Sequence, residues 1–334
     1  MRAELSTMSA RGWVILALTL TVAGGLGGCS MSSAAQVRKA DLRAREYVAQ
    51  AVQLSDKGLV DEAIAQLQLA IKENPTLTTA HVNLGALYQV QGDYKSAEAS
   101  YREAVAIEPR SFDGQYGLGL VLQLMDRLGE AVASYLRALA IDPEDFHANL
   151  NLATAYLQER HPRQALPYAE QAVALDPENG PARVNLGAIY ATLGDHERAI
   201  QSYQAAAELM DLTAPLLLNL ADSLGETGRY QEMVNTLGQL LKMEPSAQAY
   251  ERLGYAYFRL DRLNEALPAF AKAVELDPKH YPALNGMGVC LLNRYLRSDR
   301  TNTDARREGV EALRRSLRLN RRQPRIVDLV SRYG

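Results

Sequence analysis

Residues that carry chemistry are scarce in this chain. Its two cysteines are too few for a disulfide-dense scaffold. There is no Gly-x-Ser-x-Gly nucleophile motif and no phosphate-binding loop. The histidines show no metal-ligand spacing such as His-x-x-x-His; they are His81, His147, His161, His196 and His280. The sequence therefore predicts a protein that is not an enzyme and that holds no metal and no cofactor.

Long apolar runs are also missing. The longest run near the N-terminus covers residues 13–23, which is shorter than the roughly 20 residues that a membrane-spanning helix needs. A run of this length behind Arg2 and Arg11 is typical of a secretory signal peptide. We therefore expect export rather than a membrane span.

The residues after this run are Leu26, Gly27, Gly28 and Cys29, and they resemble the lipobox of bacterial lipoproteins. The resemblance implies that residues 1–28 are a signal peptide and that Cys29 becomes the acylated first residue. Residues 29–43 are then a flexible membrane tether, and Ser30 favours the periplasmic face of the outer membrane. An alternative is a signal peptide cleaved elsewhere, with a chance cysteine nearby. If Cys29 is lipidated, Cys290 has no disulfide partner, and we expect it to be a buried small residue.

A 34-residue period runs through most of the chain and is the strongest signal in it. Prolines recur at positions 75, 109, 143 and 177, and again at 245 and 278 after a one-residue deletion. Leu-Gly or Leu-Ala pairs keep the same period. They begin at Leu84, Leu118, Leu152, Leu186, Leu220 and Leu253. Such a period indicates an array of small units, each unable to bury its apolar face alone.

One unit reads as a helix, a turn and a second helix. Apolar residues in 80–90 recur with the helical period, and Gly85 interrupts them at the cost of about 1 kcal/mol relative to alanine. Close approach of a second helix explains that glycine. Gly92 and Asp93 end the first helix, and Pro109 ends the second.

These residues resemble the tetratricopeptide repeat pattern. The resemblance implies an all-α fold, a right-handed α–α superhelical solenoid of about eight helix-turn-helix units with a C-terminal capping helix. Residues 44–280 form seven units. Residues 281–334 form an eighth unit with an inserted loop, followed by a basic capping helix.

In that family the first helices line a concave groove. The sixth position of four units is asparagine: Asn83, Asn151, Asn185 and Asn219. They resemble the asparagine ladder in the repeats of O-GlcNAc transferases, whose amides hold an extended peptide backbone. The alternative is that Asn-Leu-Gly is only repeat consensus. Further groove residues predicted for a protein or peptide partner are Tyr116, Tyr255, Phe258 and Arg259.

Charge is uneven along the chain. Residues 294–334 contain twelve arginines and five acidic residues, although the whole chain has a net charge of −3. An acidic partner for this arginine-rich unit is one interpretation, and simple solvation of the capping helix is the other. Nucleic acid is excluded as a partner because the chain is expected to be exported and no aromatic residues interleave with these arginines.

The sequence as a whole predicts a non-enzymatic interaction scaffold anchored to the cell envelope. Its groove would hold a peptide or subunit during assembly of an envelope, secretion or pilus complex. The alternative is a substrate adaptor that presents peptides to a separate glycosyltransferase or protease. Catalysis by the chain itself is a third reading, which no motif supports.

Overall fold

The computed structural model describes residues 33–334. They form seventeen helices and no strand, which confirms the predicted all-α fold of helix-turn-helix units. The chain divides into two compact units, an N-terminal unit that ends at Asp142 and a C-terminal unit that begins at Pro143. The predicted signal peptide and Cys29 lie outside the described residues.

Each repeat is a pair of helices, and eight pairs and a final helix follow one another along the chain. The N-terminal unit contains α1 Ser33–Asp56, α2 Val60–Glu73, α3 Thr78–Gln91, α4 Tyr94–Ile107, α5 Phe112–Leu124 and α6 Leu128–Leu139. The C-terminal unit contains α7 Phe146–Gln158, α8 Pro162–Leu175, α9 Gly180–Leu193, α10 His196–Leu209, α11 Ala214–Glu226, α12 Tyr230–Met243, α13 Ala247–Arg259, α14 Leu263–Leu276, α15 Tyr281–Arg297, α16 Thr303–Leu319 and α17 Pro324–Tyr333.

Side-chain caps and glycines fix where these helices begin and end. Asp93 accepts a hydrogen bond from the Ser96 backbone N–H at the start of α4, which satisfies one of the free N–H groups of the first turn. Gly92 ends α3 in the left-handed conformation, with a φ of 78°, where a residue with a side chain is strained. The turn residues read from the sequence therefore act as predicted.

The seam between the two helices of a repeat is filled by one large side chain. Tyr101 of α4 is 1% exposed and lies against Gly85 of α3. A Cβ atom built on Gly85 would be 3.0 Å from its ring. On Gly117 of the next repeat the same atom would be only 2.3 Å away. Small residues on the first helices thus let the tyrosine fill the space both within and between repeats.

The second helix of a repeat packs on the first helix of the next, as α4 does on α5, and first helices also touch one another. Within each unit, the first helix of a repeat touches the first helix of the next, as α3 touches α5 and α7 touches α9. No two second helices among residues 33–334 make a comparable contact. Each repeat is therefore wedge-shaped, and the first helices form the inner layer of their unit.

The predicted flexible tether over residues 29–43 is wrong for its described part. Residues 33–43 are the first turns of α1, which contains neither glycine nor proline. They also pair with α2: the Asn74 amide donates to Asp41 at 2.8 Å, and Arg43 lies 3.8 Å from Glu73. Helix-forming residues with a packing partner are ordered as helix.

The predicted inserted loop of the eighth repeat is also corrected. The extra residues lengthen α15 and α16 to 17 residues each and leave only residues 298–302 between them. No glycine or proline interrupts this stretch, and Asn302 caps α16 by accepting from the Ala305 N–H at 3.0 Å. Helix α17 then packs Ile326 and Leu329 against Leu313, covering the last apolar face.

Candidate peptide-binding surface

The sixth positions of successive repeats form a row on the inner layer of the C-terminal unit. The row consists of Asn151 on α7, Asn185 on α9, Asn219 on α11 and Arg252 on α13. Asn83 occupies the same position on α3 in the N-terminal unit and is half-buried. The structure therefore brings together three of the four predicted asparagines, with Arg252 after them.

Two members of this row are tied to the ninth position of the preceding repeat. The Asn185 amide donates to the hydroxyl oxygen of Thr154. The Arg252 guanidinium donates to Asp222 and to Glu251. The Asn185–Thr154 and Arg252–Asp222 bonds cross from one first helix to the next, so they hold neighbouring repeats together, whereas Glu251 lies on the same helix as Arg252.

Asn219 differs from both of these neighbours. The ninth position of its preceding repeat is Ala188, which has no polar side chain to accept or donate. Asn219 is half-buried on α11, and its amide makes no hydrogen bond within residues 33–334. Its donor and its acceptor are therefore both available to an external group.

Asn151 and Tyr116 lie deeper than predicted. Asn151 is 6% exposed and Tyr116 is 7% exposed. The Tyr116 ring stacks on Phe112 at 5.9 Å and tilts against Tyr135 at 5.9 Å. Tyr116 is thus a packing residue rather than a groove residue, because aromatic neighbours from its own and the adjacent helix cover it.

Two of the three residues predicted to form a patch lie together, Tyr255 and Arg259, and Phe258 does not join them. The guanidinium carbon of Arg259 lies 5.7 Å from the ring centre of Tyr255, and Arg259 Nη1 donates to the Tyr255 hydroxyl at 2.7 Å. Phe258 is instead half-buried and packs against the core cluster around Phe270.

Sequence reasoning missed Tyr230, the first residue of α12. The guanidinium carbon of Arg259 lies 4.5 Å from its ring centre, and its ring meets that of Tyr255 edge-on at 6.1 Å. Its position in the repeat could have identified it. Tyr230 begins the second helix of its repeat, and that point lies next to the end of the first helix of the following repeat. Tyr94 occupies the same position in the second repeat.

A family model described as tetratricopeptide repeat matches residues 48–107, 82–146, 150–211 and 218–281. These matches together cover more than half of the chain. The chain belongs to the tetratricopeptide repeat family. The predicted resemblance is thereby confirmed, and the row described above occupies the first helices of matched repeats.

Known proteins with similar repeats cover different shares of the chain. The small glutamine-rich tetratricopeptide repeat-containing protein 2 of Mycosarcoma maydis is 32% identical over 72 residues, which are 21% of this chain and 20% of that protein. The match therefore spans about a fifth of the curated relative.

Solved structures are similar over longer stretches. PilF of Pseudomonas aeruginosa has a TM-score of 0.55 at 23% identity, covering 64% of this chain and 97% of its own. PilW, described as a widely conserved type IV pilus biogenesis factor, has a TM-score of 0.52 at 22% identity, covering 60% and 92%. At these identities the likeness shows the fold.

Outside the row, this tetratricopeptide repeat chain carries little reactive chemistry in its described residues. Cys290 is 2% exposed, and burial raises the pKa of its thiol to about 12, so the thiol stays protonated at neutral pH. No group of histidine, cysteine and acidic residues within 33–334 is arranged to hold a metal ion. No helix in the same range combines the length and apolar character needed to cross a membrane.

Arg314 and Arg318 of the eighth repeat are exposed residues of α16. Arg314, Arg318 and Arg321 line a cleft of about 380 Å³ with Leu317. Arg318 forms an ion pair with Glu311 at 2.9 Å. The predicted basic character of this repeat is thus presented at its surface, whereas Leu292, Val310 and Leu313 are buried together.

Proposed function

We propose that this chain is a non-catalytic interaction protein whose inner layer, from α9 to α13, binds an extended segment of a partner protein. Tetratricopeptide repeat proteins are protein-interaction scaffolds. The observation that carries the finer proposal is the unpaired amide of Asn219, placed between two row members that are tied to the preceding repeat through the Asn185 N–H and the Arg252 guanidinium. A primary amide with a free donor and a free acceptor matches one peptide unit of a partner backbone.

The arrangement around Asn219 favours an ordered binding surface. Asn185 and Arg252, on the helices to either side, are held by bonds to Thr154 and Asp222. A rigid surrounding reduces the entropy lost when a peptide binds. Binding through one amide and the backbone of the partner reads no particular side chain, so it suits a partner segment of varied sequence.

We further propose that the chain works at the bacterial envelope, held there by acyl chains on Cys29, and that it serves assembly of an envelope, secretion or pilus complex. Support comes from the resemblance of residues 26–29 to a lipobox and from the fold shared with a pilus biogenesis factor. Two or more acyl chains give a stable anchor, because each buried methylene adds about 0.8 kcal/mol.

Site-specific photocrosslinking tests the partner surface. A benzophenone amino acid at position 226 lies seven residues after Asn219, on the same face of α11. The matched control carries it at Gln204, an exposed residue of the second helix α10. In the source cells we expect a discrete protein adduct from position 226 and none from position 204.

Equal labelling at both positions, or labelling at 204 alone, would contradict a partner surface on the inner layer. The identity of the adduct separates the two functions that the sequence left open. A pilus, secretin or envelope subunit supports an assembly factor, whereas a glycosyltransferase or protease supports the adaptor. Metabolic labelling with an alkyne fatty acid, lost in Cys29→Ala, tests the anchor separately.

A further inference from the structure

Three arginines of the C-terminal unit lie over tyrosine rings, and their surroundings can be compared directly. The guanidinium carbon of Arg198 is 5.0 Å from the ring centre of Tyr190, and that of Arg262 is 4.7 Å from the ring centre of Tyr257. Arg259 lies over Tyr230 at 4.5 Å. All three therefore share the same contact with an aromatic face.

The first two arginines also have a carboxylate of this chain at their edge. Arg198 Nε lies 2.7 Å from Asp195, and Arg262 Nη2 lies 2.8 Å from Glu265. In both, a ring lies over the guanidinium and a carboxylate lies within ion-pair distance of it, and Glu265 accepts from Nε and Nη2 of Arg262. At Arg262 this arrangement uses two neighbouring donors of the planar, forked guanidinium.

Arg259 has the aromatic part of this arrangement but not the carboxylate. Within the described part of the chain no carboxylate lies within ion-pair distance of it. Its remaining contact is a second ring, that of Tyr255, whose hydroxyl accepts from Nη1 at 2.7 Å. The Arg259 side chain is exposed, and a guanidinium has five N–H donors, so donors remain for a further acceptor. Nearby Arg252 and Arg297 do have carboxylate partners, Asp222 and Asp261.

We propose that Arg259, held between Tyr230 and Tyr255, binds a carboxylate supplied by the partner protein. The two rings fix the guanidinium before the partner arrives, which lowers the entropy that the pair loses on forming. The proposal rests on the proposed function in one respect, namely that a partner segment reaches the inner layer at α13.

The carboxylate has two sources, an acidic side chain and a chain terminus, and small probes separate them. The probes are N-acetylglutamate α-amide for the side chain, N-acetylleucine for the terminus, and N-acetylglutamine α-amide as the neutral isostere. The readout is the Nε–H resonance of each arginine in the ¹⁵N-labelled full chain, with Arg259→Gln used to assign the signal. Arg198 and Arg262 serve as internal controls.

We expect a saturable shift of the Arg259 signal with at least one carboxylate probe, in the millimolar range, and no shift with the glutamine amide. Arg259→Lys should weaken the probe by about tenfold, because lysine keeps the charge but loses the fork and the stacking. Whichever carboxylate probe binds more tightly identifies the source. An unshifted Arg259 signal, or equal shifts of all three arginines, would overturn the proposal.

Failure here is distinguishable from failure of the proposed function. Capture at position 226 that is unchanged in Arg259→Gln, together with a silent Arg259 signal, removes the carboxylate site but leaves the partner surface intact. Specific probe binding without any partner adduct would support the carboxylate site and count against the partner surface. Arg259 is exposed, so its substitutions leave the fold available for both measurements.

Discussion

The seam inside a repeat and the row on the inner layer differ in how regular they are. In the seam, a first-helix glycine faces a large ring in several repeats, as Gly85 faces Tyr101 and Gly187 faces Tyr203. In the row, Asn185 is bonded to Thr154 whereas Asn219 has only Ala188 at the equivalent place. The packing contacts recur with the 34-residue period, whereas the hydrogen bonds of the row do not.

The difference follows from where the contacting residues come from. A seam contact joins two helices of one repeat, so a consensus repeat specifies both partners. A row contact joins the sixth position of one repeat to the ninth position of the repeat before it. Because the ninth position varies between threonine, alanine and aspartate, asparagines at the same position differ in whether they have a hydrogen-bond partner.

The largest effect is expected from emptying the seam. Tyr101 is 1% exposed and touches two first helices. Tyr101→Ala should lower the free energy of unfolding by about 3–5 kcal/mol, because it removes a large buried ring and leaves a cavity. Urea unfolding followed by circular dichroism measures it. A loss below about 1 kcal/mol would show that the ring does not hold the seam.

The next largest change in the free energy of unfolding is expected from adding a methyl group in the seam. A Cβ atom on Gly117 would lie 2.3 Å from the Tyr101 ring, so Gly117→Ala should destabilise the chain by about 1–3 kcal/mol. Gly238 in α12 has nothing within 4 Å of the same atom. Gly238→Ala should therefore stabilise it by up to about 1 kcal/mol. Effects of the same sign at both positions would contradict this account.

Much of the fold, but less of the surface, could be predicted from the sequence. The prolines, turn glycines and Leu-Gly pairs predicted the helix pairs because each acts within a few residues of its own helix. The helical start at 33–43 was missed because a polar, alanine-containing stretch next to a predicted signal peptide looks like a linker. Its pairing with Glu73 and Asn74 is visible only in the fold.

The site was predicted in part for the same reason. The position of a residue within its repeat was enough to place the asparagines and Arg259 correctly on first helices. Burial of Tyr116 depends on Phe112 and Tyr135, which lie on two different helices, and no single repeat encodes that. The role of Tyr230 likewise required the approach of α12 to the end of α13.

Within the row, breaking the Asn185 bond should have a moderate effect. Thr154→Val removes the hydroxyl that accepts from the Asn185 amide, and a buried side-chain hydrogen bond contributes about 1 kcal/mol. The double-mutant cycle with Asn185→Ala should return a coupling energy of about 0.5–1.5 kcal/mol. A coupling near zero would mean that the bond does not join the repeats.

Creating the missing bond should have a small effect on stability and a clear one on binding. Ala188→Thr supplies at α9 the hydroxyl that Asn219 lacks, copying the Thr154 arrangement. We expect a stability change within about 1 kcal/mol, together with a reduced adduct from position 226 because the amide of Asn219 is now occupied. A double-mutant cycle shows whether the threonine introduced at position 188 and Asn219 are coupled in stability. If they are coupled and the adduct yield is unchanged, Asn219 does not bind the partner.

The smallest expected stability change, and the most direct test, is Asn219→Ala. A half-buried amide without a hydrogen bond should change the free energy of unfolding by no more than about 0.5 kcal/mol. The measurement is urea unfolding and adduct yield from position 226 on the same preparation, with Asn185→Ala as the matched variant. The account predicts unchanged stability and a lost adduct for Asn219→Ala. Full adduct yield with unchanged stability would contradict it.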